Sequence, residues 1–230
     1  MKPVAAFVAL CLAASVAFAA DPAEELYKKV SDAWAKAKTI HLKDLTSSAK
    51  EPGGGGVNCT ADLWLGEGAL MKVAGGMEVG GKKRAFSGAC DGTTLVLASG
   101  GAEEMRGAAP KDLGVKSRVV LVHGGYMVYL ALVHSSDSFS EGGASGFKSS
   151  GEEKVGDRTA TVIEYVYKFS VRGNEQACAT KLYVDKDTMQ ILKRVFTDPN
   201  KVAFTELYPS VEVDAAAPEG TFTVPPAPGK

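Results

Sequence analysis

The chain has 230 residues, with 26 Lys and Arg against 27 Asp and Glu, a net charge of −1. No stretch is strongly basic, which excludes the electrostatic footprint of a nucleic-acid partner and leaves no polybasic segment for anionic lipid. The length suits one domain with one core.

Met1-Lys2-Pro3 is followed by an apolar run from Val4 to Phe18 that closes on Ala17-Phe18-Ala19. A short basic start, a short apolar core and a small-x-small end predict a secretory signal peptide over residues 1–20, removed on export. The run is too short to span a bilayer, which needs about 20 apolar residues. Cys11 is a poor lipid-attachment site, because Leu10 precedes it and it sits early in the run. A mature protein working in the periplasm or outside the cell is expected, with residues 21–226 as its one domain, 227–230 as a flexible tail and no transmembrane segment.

Asp21-Pro22-Ala23-Glu24 opens a helix: Asp21 suits the N-cap and Pro22 the first helical position. Leu26, Val30, Ala33, Trp34 and Ala37 then recur on one face. After Lys38 the period falls to two. Strands are predicted over Thr39 to Lys50, Val57 to Leu65, Ala69 to Ala74, Lys82 to Gly88 and Thr93 to Ala98. Glycine-rich separators stand between them, among them Gly75-Gly76, Gly80-Gly81 and Gly100-Gly101. Glycine supplies the positive φ that tight hairpin turns need.

Pro110 to Ser136 reads as two short apolar helices divided at Gly124-Gly125, and Ser135 to Ser150 as a Ser/Gly-rich loop. Strands return at Phe147 to Val155, Arg158 to Val171, Ala177 to Val184, Met189 to Thr197 and Val202 to Val213. The Ala- and Pro-rich tail follows. The expected fold is α+β: a single antiparallel sheet of roughly nine to eleven strands, with helices covering one face.

Little of this looks catalytic. His41, His123 and His134 lack zinc spacing, and there is no nucleophile elbow or C-x-x-C. Asp185, Asp187 and Asp198 fit hairpin turns better than a calcium loop, which needs a following Gly and a closing Glu. Neither an enzyme nor a cofactor or metal is expected. Cys59, Cys90 and Cys178 remain after export; a Cys59–Cys90 disulfide and three buried free thiols are both open.

Apolar residues stand out instead. Leu63 and Leu65, Leu95 and Leu97, and Tyr165 and Tyr167 alternate as one-sided strands do. Tyr126, Met127, Tyr129 and Leu130 give the second helical segment an aromatic surface with an adaptable methionine. These ten residues are the candidate lining of a ligand cavity; ordinary core is the plainer reading of each.

The run Lys181-Leu-Tyr-Val-Asp-Lys-Asp-Thr-Met-Gln-Ile-Leu-Lys-Arg-Val-Phe-Thr-Asp198, then Phe204 to Asp214 and Pro218-Glu-Gly-Thr-Phe-Thr-Val-Pro-Pro226, resembles the close of LolA/LolB-like superfamily domains. Cys90-Asp-Gly-Thr-Thr-Leu-Val-Leu97 and Gly156 to Ile163 are similar to two of its earlier strands, so the resemblance runs from about Ala23 to Pro226. It implies a strongly curved, incomplete β-barrel closed by helices around an apolar cavity for acyl chains, with Pro110 to Val133 as the lid. The family's carriers hold that lid with an arginine on an early strand. Lys72 stands in the comparable stretch, without the arginine's planar fork of donors. The resemblance implies an exported carrier of lipid, lipoprotein acyl chains or another apolar ligand. The same fold also serves periplasmic regulators, so a module that reads an envelope protein partner, through the loop 135–150 or a sheet edge, is the alternative.

Overall fold

The computed structural model describes residues 21–50, 56–111, 113–135 and 138–227. The predicted signal peptide, Asp112 and residues 228–230 lie outside the described residues.

Helix α1 spans Pro22–Lys36. The Asp21 carboxylate accepts a hydrogen bond from the Ala23 N–H at 2.9 Å, satisfying one of the helix's orphan donors. Its buried stripe is Ala23, Tyr27, Val30 and Trp34, the spacing of one helical face. Leu26 is half-buried and Ala33 exposed, so the stripe is rotated toward Tyr27 from the one read in the sequence.

All the strands join one antiparallel sheet. In chain order they are β1 (Ile40–Lys50), β2 (Gly56–Leu65), β3 (Leu70–Val79), β4 (Lys82–Asp91), β5 (Thr94–Ser99), β6 (Ala102–Ala108), β7 (Phe139–Val155), β8 (Arg158–Val171), β9 (Asn174–Asp185), β10 (Ile191–Thr197), β11 (Ala203–Leu207) and β12 (Ser210–Val213). Helices α2 (Leu113–His123) and α3 (Tyr126–His134) sit between β6 and β7. The spatial order is β6-β5-β4-β3-β2-β1-β11-β10-β9-β8-β7, with β12 paired to the first half of β1. The sheet is open, and β6 and β7 are its two edges. Because these edges are consecutive in the chain, the α2–α3 hairpin has to carry the backbone from one to the other.

It does so across the apolar face. Along β2 the buried residues are Cys59, Ala61, Leu63 and Leu65, alternating with more exposed neighbours, as a strand with one face inward must. These side chains, the α1 stripe and the buried residues of α2 and α3 form one cluster. The second helical segment is buried almost all round, which is why it shows no amphipathic pattern.

Four differences from the sequence reading have physical causes. The sheet has 12 strands, because β6 was not anticipated and the last strand divides. That division falls at Pro209, which has no N–H to give a ladder; β11 and β12 pair with successive halves of β1. The stretch read as a loop from Ser135 is, from Phe139, the edge strand β7. Gly75-Gly76 is no turn but lies inside β3. A Cβ on Gly75 would stand 2.2 Å from the Thr60 carbonyl oxygen and 2.6 Å from the Phe86 ring, so the glycine lets that ring lie over the strand.

Candidate functional site

The structure brings the ten candidate lining residues into the shared core. Leu63, Leu65, Leu95, Leu97, Tyr126, Tyr129, Tyr165 and Tyr167 are buried, and Met127 and Leu130 pack against them half-buried. Most of this interior is filled. The apolar void is a cavity of about 120 Å³ between α3 and the inner face of β3, β4 and β5. Val73, Met77, Phe86, Leu97, Tyr129, Leu130 and Val133 line it, and Arg84, Ser87, Glu104 and His134 stand among its rim residues. Of the ten candidates, Leu97, Tyr129 and Leu130 reach it. Pockets that enclose a drug-sized ligand begin at about 300 Å³, so this cavity is a narrow seam along α3, too small to enclose one.

The seam is held shut at its other end by charge. Arg194 on β10 and Glu206 on β11 are fully buried. The Arg194 guanidinium donates to the Leu121 carbonyl oxygen and the Tyr208 hydroxyl at 2.9 Å each, and to the Val122 carbonyl oxygen. These carbonyls belong to the last turn of α2, where no intrahelical donor reaches them. Glu206 takes the start of α3: its Oε2 accepts from the Tyr126 N–H at 3.1 Å and its Oε1 from the Met127 N–H at 3.0 Å. The Tyr208 hydroxyl also donates to Oε2, and Arg194 Nη1 lies 3.4 Å from it. A cation thus meets a helix C-terminus and an anion meets a helix N-terminus, the favourable sense for both dipoles. Burial works against the Arg194 charge, but Tyr208, Tyr165 and Glu206 outweigh it and hold the guanidinium more firmly protonated than usual.

Gly124 and Gly125 make this junction possible. Gly125 has φ +85, and a Cβ there would lie 2.2 Å from Glu206 Oε2 and 2.4 Å from Arg194 Nη1. A Cβ on Gly124 would lie 2.6 Å from the Tyr167 ring. Both glycines let the helix junction close onto the ion pair. Beside it, Tyr165 donates to the His123 carbonyl oxygen at 2.8 Å, and the His123 ring meets the Glu141 carboxylate of β7.

Several interior phenols have no hydrogen-bond partner of ordinary geometry among the described residues: Tyr27, Tyr126, Tyr129 and Tyr167. Burial raises the pKa of each, so they stay neutral donors. A phenol with no partner, such as Tyr129, costs roughly 1–3 kcal/mol against a satisfied state. Tyr129 is the one that also lines the cavity.

Two sequence expectations fail here. Lys72 does not hold the helices: it lies between buried Met71 and Val73 on β3 and points to the opposite face, opposite Trp64 of β2 in the register. Arg194 and Glu206 do that work. The Cys59–Cys90 disulfide does not form. β3 lies between their strands, and Cys59, Cys90 and Cys178 are free and buried. Of the other singled-out residues, Asp185 closes its turn. Oδ1 accepts from the Asp187 and Thr188 N–H groups at 2.9 and 2.7 Å, and Oδ2 accepts from Arg158 at 2.7 Å. His41 lies against the Trp64 ring on the outer face, with centroids 3.8 Å apart.

No family model matches the chain, and no curated protein does. Among solved structures the chain is similar to the lipoprotein LppX of Mycobacterium tuberculosis, at 10% identity and a TM-score of 0.41, over 83% of this chain and 99% of that one. It is similar to a LolA superfamily protein from Nitrosomonas europaea at 8% identity and a TM-score of 0.35, over 88% and 97%. A third likeness, at 10% identity and 0.30 over 88% and 98%, is to a DUF1329 family protein from Desulfovibrio piger. These likenesses concern the fold; at such scores they carry no argument about activity. No helix among the described residues is long and apolar enough to cross a membrane.

Proposed function

We propose that this chain is an exported carrier that takes an acyl chain or another apolar ligand between the sheet and the α2–α3 hairpin. The observation that carries the reading is the apolar cavity beneath α3, with its mouth at the free end of that helix and an unpartnered phenol in its wall. In its closed form the cavity admits only the tip of a chain. Loading therefore requires α3 to swing away from β4 and β5, with Gly124-Gly125 as the hinge and the Arg194–Glu206 junction as its fixed end. Binding would come from burial, about 0.8 kcal/mol per methylene, and needs no catalytic group.

Native mass spectrometry of exported protein, with solvent extraction of what it carries, tests this. A bound lipid or acylated peptide supports the carrier and identifies its cargo. Protein that is empty, and that also fails to bind a fluorescent fatty-acid probe, overturns it. For the regulator alternative, the contact loop is from Phe139 the edge strand β7, whose pairing to β8 shifts register at three places, and an irregular edge is a poor template for an added strand; the other sheet edge, β6, stays available to it.

A further inference from the structure

The charged residues on the strands beside the cavity fall into two groups. On β3 and β4, Lys83 and Glu78 pair with each other outside the cavity lining, their charged atoms 4.0 Å apart. On β6, Arg106 and Glu103 form a close pair at 2.7 Å. Arg84 and Glu104, the chain neighbours of Lys83 and Glu103, make no ion pair or hydrogen bond among the described residues, yet these two line the cavity. Both are exposed. The remaining polar rim residues, Ser87, Ser99 and His134, bring no second carboxylate and no second fixed cation.

An apolar hollow with one free cation and one free anion at its mouth is complementary to an amphiphile that carries both signs in its head. Resting on the carrier reading above, we infer that the ligand is a lipid with a zwitterionic phosphate-and-ammonium head. The phosphate takes Arg84, whose planar fork suits phosphate oxygens, and the ammonium takes Glu104. The acyl chain enters past Phe86 and Leu130. A purely anionic head would meet Glu104 unfavourably, and a purely cationic one would meet Arg84. An uncharged head would leave both charges partly desolvated and unmatched.

Single-chain probes of equal length test this on the full exported protein by competition against a fluorescent acyl probe: dodecylphosphocholine, dodecyl phosphate, dodecyltrimethylammonium and dodecanol. Dodecylphosphocholine is expected to bind tightest. Each charge at an exposed rim is worth up to about fivefold. Arg84→Gln should move the preference toward the trimethylammonium probe by that factor, and Glu104→Gln toward dodecyl phosphate. Both shifts should shrink with added salt, because the rim is open to solvent. Equal binding of all four probes, or variants that leave the affinity ratios among the probes unchanged, overturns the zwitterion and leaves the carrier standing. If no probe binds to the native protein, the carrier itself falls, and this inference with it.

Discussion

Glu206→Gln is the sharpest perturbation of the helix junction. The Glu206 carboxylate is surrounded by donors: the Tyr126 N–H, the Tyr208 hydroxyl and Arg194 at Oε2, and the Met127 N–H at Oε1. A carboxylate is acceptor-only, whereas a glutamine amide turns one of those oxygens into a donor. Either orientation sets N–H against N–H, and Arg194 is left buried without its counter-charge. Breaking a buried pair from one side costs about 3–5 kcal/mol. The remaining Arg194 bonds to Leu121, Val122 and Tyr208 place this case near 3 kcal/mol. With a urea slope of roughly 2.5 kcal/mol/M, the unfolding midpoint should fall by about 1.2 M with the slope unchanged. The gap should persist at high salt, since a fully buried pair is little screened. In the double variant Glu206→Gln/Arg194→Met, the loss should be smaller than the sum of the single losses by about 1–3 kcal/mol. A midpoint shift below about 0.3 M, or losses that simply add, would refute the junction described above.

Gly125→Ala should destabilise by about 3 kcal/mol, combining a positive φ with a Cβ 2.2 Å from Glu206; Gly143→Ala, with φ +83 and nothing within 4 Å of its Cβ, should lose only about 1 kcal/mol. Equal losses in urea melts would show that the ion pair plays no part. Asp185 is pulled down to about 2: burial opposes this, but the Thr188 and Asp187 N–H groups, the Thr188 hydroxyl and Arg158 prevail. The unfolded chain takes up that proton near the ordinary value of 3.8, so the contribution is full above about pH 5 and disappears as pH falls to 2. Wild type should therefore lose about 2 kcal/mol more than Asp185→Asn between those limits in pH-dependent urea melts; parallel curves would contradict the assignment. Burial pushes the Cys59 and Cys178 thiols up to about 11 and raises Cys90 as well. All three should resist a thiol reagent at pH 8 in the native protein and react together in urea; two missing equivalents in urea would mean a disulfide after all.

What was legible in the sequence was what its patterns encode directly. The α1 start follows from Asp21 and Pro22, the helical hairpin from the break at Gly124-Gly125, and β8 from its long stretch rich in Thr, Val, Ile and Tyr. The edges were hidden because too few of their residues are buried to mark a face: β7 has Phe139 buried and Phe147 against Tyr27 of α1, among mostly exposed neighbours. Residues Glu103 to Arg106 on β6 are mostly exposed, and so are most of the residues of β7. Lys72 could have been excluded by parity alone, since Met71 and Val73 take the inner positions of β3. Glu206 carried a readable signal that was passed over: it stands between Phe204 and Tyr208 at a spacing of two, an acid on an aromatic face. Arg194 shares its face with Phe196 in the same way.

The choice of a buried ion pair at that place has a physical reason. Replacing such a pair by apolar side chains is often neutral or stabilising, so Arg194 and Glu206 are weak evidence of stability for its own sake. An apolar pair, however, could not satisfy the last carbonyls of α2 and the first N–H groups of α3, which the two glycines bring against the sheet. The pair secures one end of the helical hairpin in a single register. The rest of α3, from Tyr129 with its unpartnered phenol to His134, lies instead over a partly empty cavity whose lining carries the exposed, unmatched Arg84 and Glu104. Stability is therefore unevenly distributed along α3, and local opening favours the less satisfied end. In the proposed carrier, that end is the one that moves, and the junction at Gly125 is the one that stays.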